Sequence, residues 1–157
     1  MEPSSPRLSV AAPLRVLVVD DSAYNRQTIA AILAEDPRVE VVGRAVNGKE
    51  ALQLAFDLRP DVITLDLEMP EMDGYAFLRL LMAKVPTPVI VISSHDDRGS
   101  VFRALELGAL DFIGKPGRQI GPELRSIADE LRAKIAMIGR LQAVRLQERA
   151  QRLAGLG

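Results

Sequence analysis

The 157-residue chain contains no cysteine and no tryptophan, and aromatic residues make up only 4% of it. The absence of cysteine excludes disulfide bonds and thiolate metal sites, and it is typical of proteins from a reducing compartment. No apolar run approaches the roughly 18 residues that a membrane-spanning helix needs. The net charge of −1 also lacks the basic excess typical of nucleic-acid-binding proteins. These absences predict a cytoplasmic protein that binds neither membranes nor nucleic acids.

What the chain does contain is an ordinary globular composition, 48% apolar and 26% charged, which is enough for one domain with an appendage. The charge is uneven: residues 1–117 hold 12 basic and 17 acidic groups, whereas residues 118–157 hold 8 basic and 4 acidic groups. We therefore expect a disordered lead-in at 1–13, a folded domain at 14–136 and a helical linker or C-terminal extension at 137–157.

Short β-branched apolar runs alternate with helical patterns along the chain. The runs predict strands at 15–21, 39–45, 61–66, 87–94 and 109–114. The helical patterns lie at 22–36, 47–60, 73–84, 98–108 and 121–150. Residues suited to helix ends support these bounds, namely Ser22 and Asn47 as N-caps, Glu50 in a capping box and Gly108 at a C-terminus. Strict alternation predicts an α/β fold: a doubly wound, five-stranded parallel sheet (flavodoxin-like) with helices on both faces.

The last helix carries an apolar stripe at spacings of three and four residues. Its members are Leu124, Ile127, Leu131, Ile135, Ile138 and Leu141. We expect the stripe to pack on the sheet up to about residue 136. Beyond that point the pattern is more basic and only weakly periodic, which favours a solvated linker helix, with a dimerising helix or a docking surface as alternatives.

Polar side chains follow the carboxyl ends of four predicted strands, where ligands bind in folds of this kind. They are Asp20, Asp21, Asp66, Ser93 and Lys115. Clustered carboxylates repel one another unless a cation lies between them, and oxygen-only ligands select Mg²⁺. A carboxylate beside that cation can attack a phosphoryl group, while a lysine and a hydroxyl stabilise the phosphoryl oxygens. The sequence therefore predicts phosphorylation of Asp66.

Each of these residues also has an ordinary explanation. Asp20 or Asp21 can cap the first helix, and Asp66 can be a loop acid. Lys115 can be a solvated turn residue, and Ser93 a hydroxyl that bonds to the backbone. Their joint occurrence at the ends of the expected strands favours the functional explanation.

Four segments carry a resemblance to a known family: VLVVDDS, VITLDLEMPEMDG, PVIVISS and DFIGKP. Together they resemble the receiver domain of response regulators in two-component signalling, over about residues 14–136. The resemblance implies Asp66 as the phosphoacceptor and Lys115 as the phosphoryl contact. It implies Ser93 and Phe112 as the switch residues. It also implies Mg²⁺ bound at an acidic site made by Asp20, Asp21, Asp66 and the backbone carbonyl of Glu68.

One subfamily is more similar than the others, the N-terminal receivers of chemotaxis-type protein-glutamate methylesterases. The Glu-Met-Pro segment after Asp66, the Ser-Ser pair at 93–94 and the segment RALELGALDFIGKP carry this likeness. No Gly-x-Ser nucleophile segment follows, so we expect that the esterase domain is absent and that this chain alone has no esterase activity. The chain is either a receiver-plus-linker fragment or a receiver that works alone.

The resemblance implies that a histidine kinase phosphorylates Asp66. The modified domain then acts on an output domain or partner through a surface of the fourth helix, fifth strand and fifth helix. The alternatives are a stand-alone receiver that acts through protein contacts or as a homodimer, a Mg²⁺-dependent phosphohydrolase of the haloacid-dehalogenase type, and a receiver fold that signals without phosphorylation. His95, the only histidine, is interpreted as a loop residue.

Overall fold

The structure, a computed structural model, describes residues 12–94, 97–116 and 122–156. Five strands lie within these residues: β1 (Leu14–Val19), β2 (Val39–Ala45), β3 (Val62–Leu65), β4 (Val89–Ser93) and β5 (Asp111–Gly114). The helices are α1 (Ala23–Ala34), α2 (Gly48–Leu58), α3 (Gly74–Lys84), α4 (Arg98–Glu106) and α5 (Ala128–Leu156), with a 3₁₀ helix (Pro122–Ile127) before α5. None of these helices is both long enough and apolar enough to span a membrane.

The five strands form one parallel sheet in the order β2-β1-β3-β4-β5. Strand β2 lies on one side of β1, whereas β3, β4 and β5 follow on its other side. The direction in which strands are added therefore reverses between β1 and β3. Val16 to Val19 pair in register with Val62 to Leu65 across this reversal. The predicted doubly wound fold is confirmed, and the carboxyl ends of β1 and β3 lie side by side at the position where such folds bind ligands.

The sheet separates two apolar cores. Leu17 and Val19 face α2, α3 and α4, whereas Val16 and Val18 face α1 and α5. All four residues are at most 1% exposed, as expected for a parallel strand that helices cover on both faces. Burial of each such side chain stabilises the fold by about 1.5–3 kcal/mol, which holds the polar strand ends in fixed positions.

The predicted helix ends are found where the sequence places them. Ser22 caps α1, since its side chain accepts a hydrogen bond from the Asn25 N–H. Asn47 caps α2 in the same way through the Glu50 N–H, and the Glu50 carboxylate accepts from the N–H of Val46, one residue before the cap. Gly108 follows α4 with φ of +115°, a conformation that favours glycine.

The last helix differs from its prediction. Residues 122–127 form a 3₁₀ helix instead of the first turns of α5, and α5 continues to Leu156. A 3₁₀ turn of three residues aligns Leu124 with Ile127, and both are buried. Ile138 is the last buried residue of the stripe, and Leu141 is 47% exposed.

The domain boundaries stay predictions. Helix α5 crosses residue 136 without a break. The predicted lead-in falls outside the described residues except at positions 12 and 13.

Candidate functional site

Two acidic residues directly follow β1. Asp20 is 1% exposed, because the buried strand continues through its backbone N–H, which donates to the Ala45 carbonyl at 3.1 Å. One carboxylate oxygen of Asp20 accepts from the Ser22 N–H at 2.9 Å, and its other oxygen pairs with the Lys115 Nζ at 2.9 Å. Asp21 is exposed. Neither acid caps α1, since Ser22 does so, and the ordinary explanation for this pair is wrong.

Asp66 directly follows β3 and is 6% exposed. Its N–H donates to the Val19 carbonyl at 3.0 Å, which joins the ends of β1 and β3. Its Oδ1 accepts from the Glu68 N–H at 3.3 Å, and its Oδ2 lies 3.5 Å from the Lys115 Nζ. Asp66 is therefore not a solvated loop acid.

The Asp66 carboxylate lies in an unfavourable environment for its charge. Its pKa is raised to about 6, mainly by burial and to a lesser extent by the neighbouring carboxylates of Asp20 and Asp21, against the lowering effect of Lys115 and the Glu68 N–H. One lysine is shared between two buried carboxylates, with the acid of Asp21 beside them, so the site has more negative than positive charge.

Lys115 reaches the site from the other half of the sheet, next to the strand that Ser93 ends. Ser93 ends β4 and is fully buried, and its carbonyl accepts from the Lys115 N–H at 3.0 Å. Lys115 immediately follows β5, with its side chain only 11% exposed. Phe112, inside β5, is half-buried and packs against the core that faces α2, α3 and α4.

The acidic residues can hold a divalent cation. Asp20, Asp21 and Asp66 each offer a carboxylate oxygen, and these oxygens lie within 4.8 Å of one another. Oxygen donors with excess negative charge fit Mg²⁺, which takes octahedral oxygen ligands and usually keeps several waters. The donor set therefore fits the predicted ion.

Two structural residues near the site escape a reading of the sequence alone. Gly74 does not supply a positive φ. It is required because a Cβ there would lie 2.6 Å from the Leu67 Cα and 2.8 Å from the Asp66 carbonyl oxygen. The positive φ of this loop, 67°, belongs to Glu71. The Asp-Gly pair signals a turn, but only the folded backbone shows which residue adopts which conformation.

His95, interpreted from the sequence as a loop residue, lies outside the described residues.

Comparison with known proteins identifies the fold and the family. The sequence pattern of the response regulator receiver domain matches residues 16–124. The response regulator domain of CheB from Thermotoga maritima superimposes with a TM-score of 0.78 at 45% identity, covering 80% of this chain and 96% of that one. CheY in the CheX-CheY-BeF₃-Mg²⁺ complex from Borrelia burgdorferi gives a TM-score of 0.65 at 30% identity, covering 71% and 84%. The chain belongs to the response regulator receiver domain family of two-component signalling.

Within that family, the chain is of the chemotaxis CheB type. Protein-glutamate methylesterase/protein-glutamine glutaminase 1 of Myxococcus xanthus is 52% identical over 128 residues, which cover 82% of this chain and 37% of that protein. Protein-glutamate methylesterase/protein-glutamine glutaminase 3 of Geobacter sulfurreducens is 47% identical over 148 residues, which cover 90% of this chain and 40% of that protein. The chain thus spans about two fifths of the length of these curated relatives.

Proposed function

We propose that the chain is a phosphorylation switch in which Asp66 accepts a phosphoryl group from a histidine kinase. The observation that supports this most directly is the convergence of two carboxylates on one lysine. The Lys115 Nζ lies 2.9 Å from an oxygen of Asp20 and 3.5 Å from an oxygen of Asp66. Because the pKa of Asp66 is about 6, its carboxylate is largely ionised at neutral pH and can act as a nucleophile.

In the proposed reaction, a carboxylate oxygen of Asp66 attacks the phosphorus of a phosphohistidine. A P–O bond forms, the P–N bond breaks, and the leaving imidazole keeps the electron pair. The carboxylates of Asp20, Asp21 and Asp66 and the carbonyl of Glu68 would hold Mg²⁺, which would supply positive charge against that of the phosphoryl oxygens. Lys115 moves from its resting partners to one phosphoryl oxygen, and the Ser93 hydroxyl donates to another.

The new contacts of Ser93 and Lys115 bias the shape of the domain. Ser93 ends β4, the strand that pairs with β5, and Lys115 follows β5 itself, three residues after Phe112. Both changes therefore act at the same end of the sheet and close to Phe112. Inward rotation of Phe112 then alters the face formed by α4, β5 and α5. This is a two-state element whose populations phosphorylation shifts.

That face has the character of a protein contact. It exposes apolar side chains, namely Phe102, Leu105, Leu110, Met137 and Leu141. A shallow groove of about 140 Å³ between β5 and α5 is lined mainly by apolar residues and includes the ion pair of Lys134 with Asp111 at 2.9 Å. We propose that the output covered by this face is a methylesterase activity like that of the relatives, with a partner protein or a second copy as the alternative for a stand-alone receiver.

The phosphohydrolase alternative is weakened by the loop between β1 and α1. Only Asp20, Asp21 and Ser22 separate the two elements, which leaves no room there for a cap insertion. A receiver that signals without phosphorylation has no need for a buried carboxylate whose negative charge is only partly balanced by a lysine.

Intact mass after incubation with Mg²⁺ and acetyl phosphate tests the proposal. We expect one phosphoryl addition that requires Mg²⁺, is labile at alkaline pH and is lost in Asp66→Asn. Asp57→Asn, which removes an exposed acid on α2, is the matched control and keeps the addition. No addition to the wild type, under conditions that label a known receiver, would overturn the proposal. Turnover of an added phosphoester would favour the phosphohydrolase.

A further inference from the structure

The loop from Asp66 to Gly74 is closed by a backbone hydrogen bond of its own and is tied to α2 by a second one. At its base, the Gly74 N–H donates to the Leu67 carbonyl at 2.9 Å. Near its far end, the N–H of Gly48, the first residue of α2, donates to the Met72 carbonyl at 3.2 Å. The proposed metal ligand Glu68 lies between these two points, so the start of α2 helps to fix the backbone that carries it.

The contact between Gly48 and Met72 is close enough to require glycine. A Cβ at Gly48 would lie 2.5 Å from the Met72 carbonyl oxygen and 2.9 Å from the Met72 Cβ. Since non-bonded contacts of a real Cβ stay beyond about 3.0 Å, a side chain there must shift the loop backbone and the start of α2 relative to each other by about 0.5 Å.

A side-chain contact lies next to this backbone contact. The Asn47 Nδ2 donates to the Glu71 Oε1 at 3.4 Å, while the Asn47 Oδ1 accepts from the Glu50 N–H at 2.8 Å. One side chain therefore caps α2 and also contacts the loop. Glu71 is held at φ of 67°, which costs a residue with a Cβ about 1–2 kcal/mol, so the loop conformation depends on contacts from outside.

We propose that Asn47 and Gly48 are positioning residues that set the Mg²⁺ affinity of the site by fixing the 66–74 loop. This inference rests on the proposed function, because it takes the Glu68 carbonyl as a ligand. Mg²⁺ demands near-ideal octahedral geometry, so it tolerates displaced ligands less well than a larger cation does. Neither residue contacts the ion; both act through the loop backbone.

The test is the Mg²⁺ dissociation constant, measured by titrating the ¹⁵N-labelled protein with MgCl₂ and following backbone amide shifts. A misplacement of this size weakens the site, and we expect Gly48→Ala to bind Mg²⁺ about tenfold more weakly. Alanine is the better helix former, so the helix itself does not lose stability through propensity. Gly43→Ala is the matched control, because its Cβ would press on the flexible ends of Leu58 and Leu17 and not on the loop.

A second pair of variants keeps the test independent of the folding of Gly48→Ala. Asn47→Asp retains the cap, since aspartate is an equally good N-cap, but turns a carboxylate toward Glu71. We expect Mg²⁺ binding to weaken about two- to fivefold, and the double variant Asn47→Asp/Glu71→Gln to restore it. A purely structural role for this pair predicts no such rescue of affinity.

The outcomes separate this inference from the proposed function. If the wild type binds Mg²⁺ and is phosphorylated, but Gly48→Ala and Asn47→Asp bind Mg²⁺ as tightly as Gly43→Ala does, the positioning role is wrong and the switch stands. If the wild type shows no Mg²⁺-dependent shifts near Asp66, the proposed function itself fails.

Discussion

Replacement of Asp66 with asparagine should make the metal-free protein more stable at neutral pH, although it removes the residue on which the proposed function depends. The pKa of Asp66 is about 6 in the folded protein, against an ordinary value of 3.8. Between these two values, the folded state binds more protons than the unfolded state does. Stability therefore falls as pH rises from about 4 to about 6, and above pH 6 the buried charge carries its full cost.

The size of that cost follows from the shift. A difference of about two pKa units corresponds to roughly 3 kcal/mol, since each unit is 1.36 kcal/mol. The shift already includes the attraction of Lys115, and asparagine fills the same volume without the charge, so we expect a net gain of about 1–3 kcal/mol at pH 7.5.

Urea unfolding at 25 °C in a chelating buffer, at pH 7.5 and at pH 4, measures this gain. Groups far from Asp66 titrate equally in both proteins and cancel in the difference between the wild type and Asp66→Asn. The gain should be largest at pH 7.5 and close to zero at pH 4, where the wild-type carboxyl is protonated. An equal gain at both pH values, or a less stable variant at pH 7.5, would refute the reasoning.

Three further changes test other parts of the structure. The Thr64 hydroxyl is buried between Val18 and Ile90 with no hydrogen-bond partner among the described residues, so Thr64→Val should keep or raise stability by about 1 kcal/mol in thermal or urea unfolding. Lys115→Gln removes the cation that lowers the pKa of Asp66, and ¹³C carboxyl NMR should show that pKa above 6; an unchanged value would mean that the ion pair at 3.5 Å is not formed in solution. Ser22→Ala removes the α1 cap and should lower the free energy of unfolding by about 1 kcal/mol, whereas Ser22→Asp should not.

The fold could be predicted from the sequence because its signals are local. Each strand is a short apolar run, and Ser22, Asn47 and Gly108 mark helix ends through hydrogen bonds or backbone conformations that involve only nearby residues. The convergence at the site was predictable for a related reason. Parallel strands place all their carboxyl ends at one edge, so a residue's position along its strand already determines its position in space.

What could not be predicted depends on distances between segments far apart in the chain. The sequence predicts packing of α5 only up to about residue 136, and it does not show that Ile138 is still buried or that the Gln142 side chain lies 3.5 Å from the Asp61 carbonyl. Nor does it show that the N–H of Gly48 reaches the Met72 carbonyl, because an Asn-Gly pair before a helix is explained well enough as a cap. The resting partner of Lys115, Asp20, is likewise visible only in the folded chain.

The pairing of Asp20 with Lys115 also has a consequence for how the protein folds. The two residues are 95 positions apart, so their contact forms only when β5 joins the far edge of the sheet. In a partly folded domain from which β5 is absent, the carboxylates of Asp20 and Asp66 would lack this counter-ion. The acids that equip the complete domain for chemistry would therefore destabilise such an intermediate, which favours cooperative formation of the whole sheet. Without β5, Lys115 is not in place at the site, and burial of the two acids is not stabilised by an ion pair.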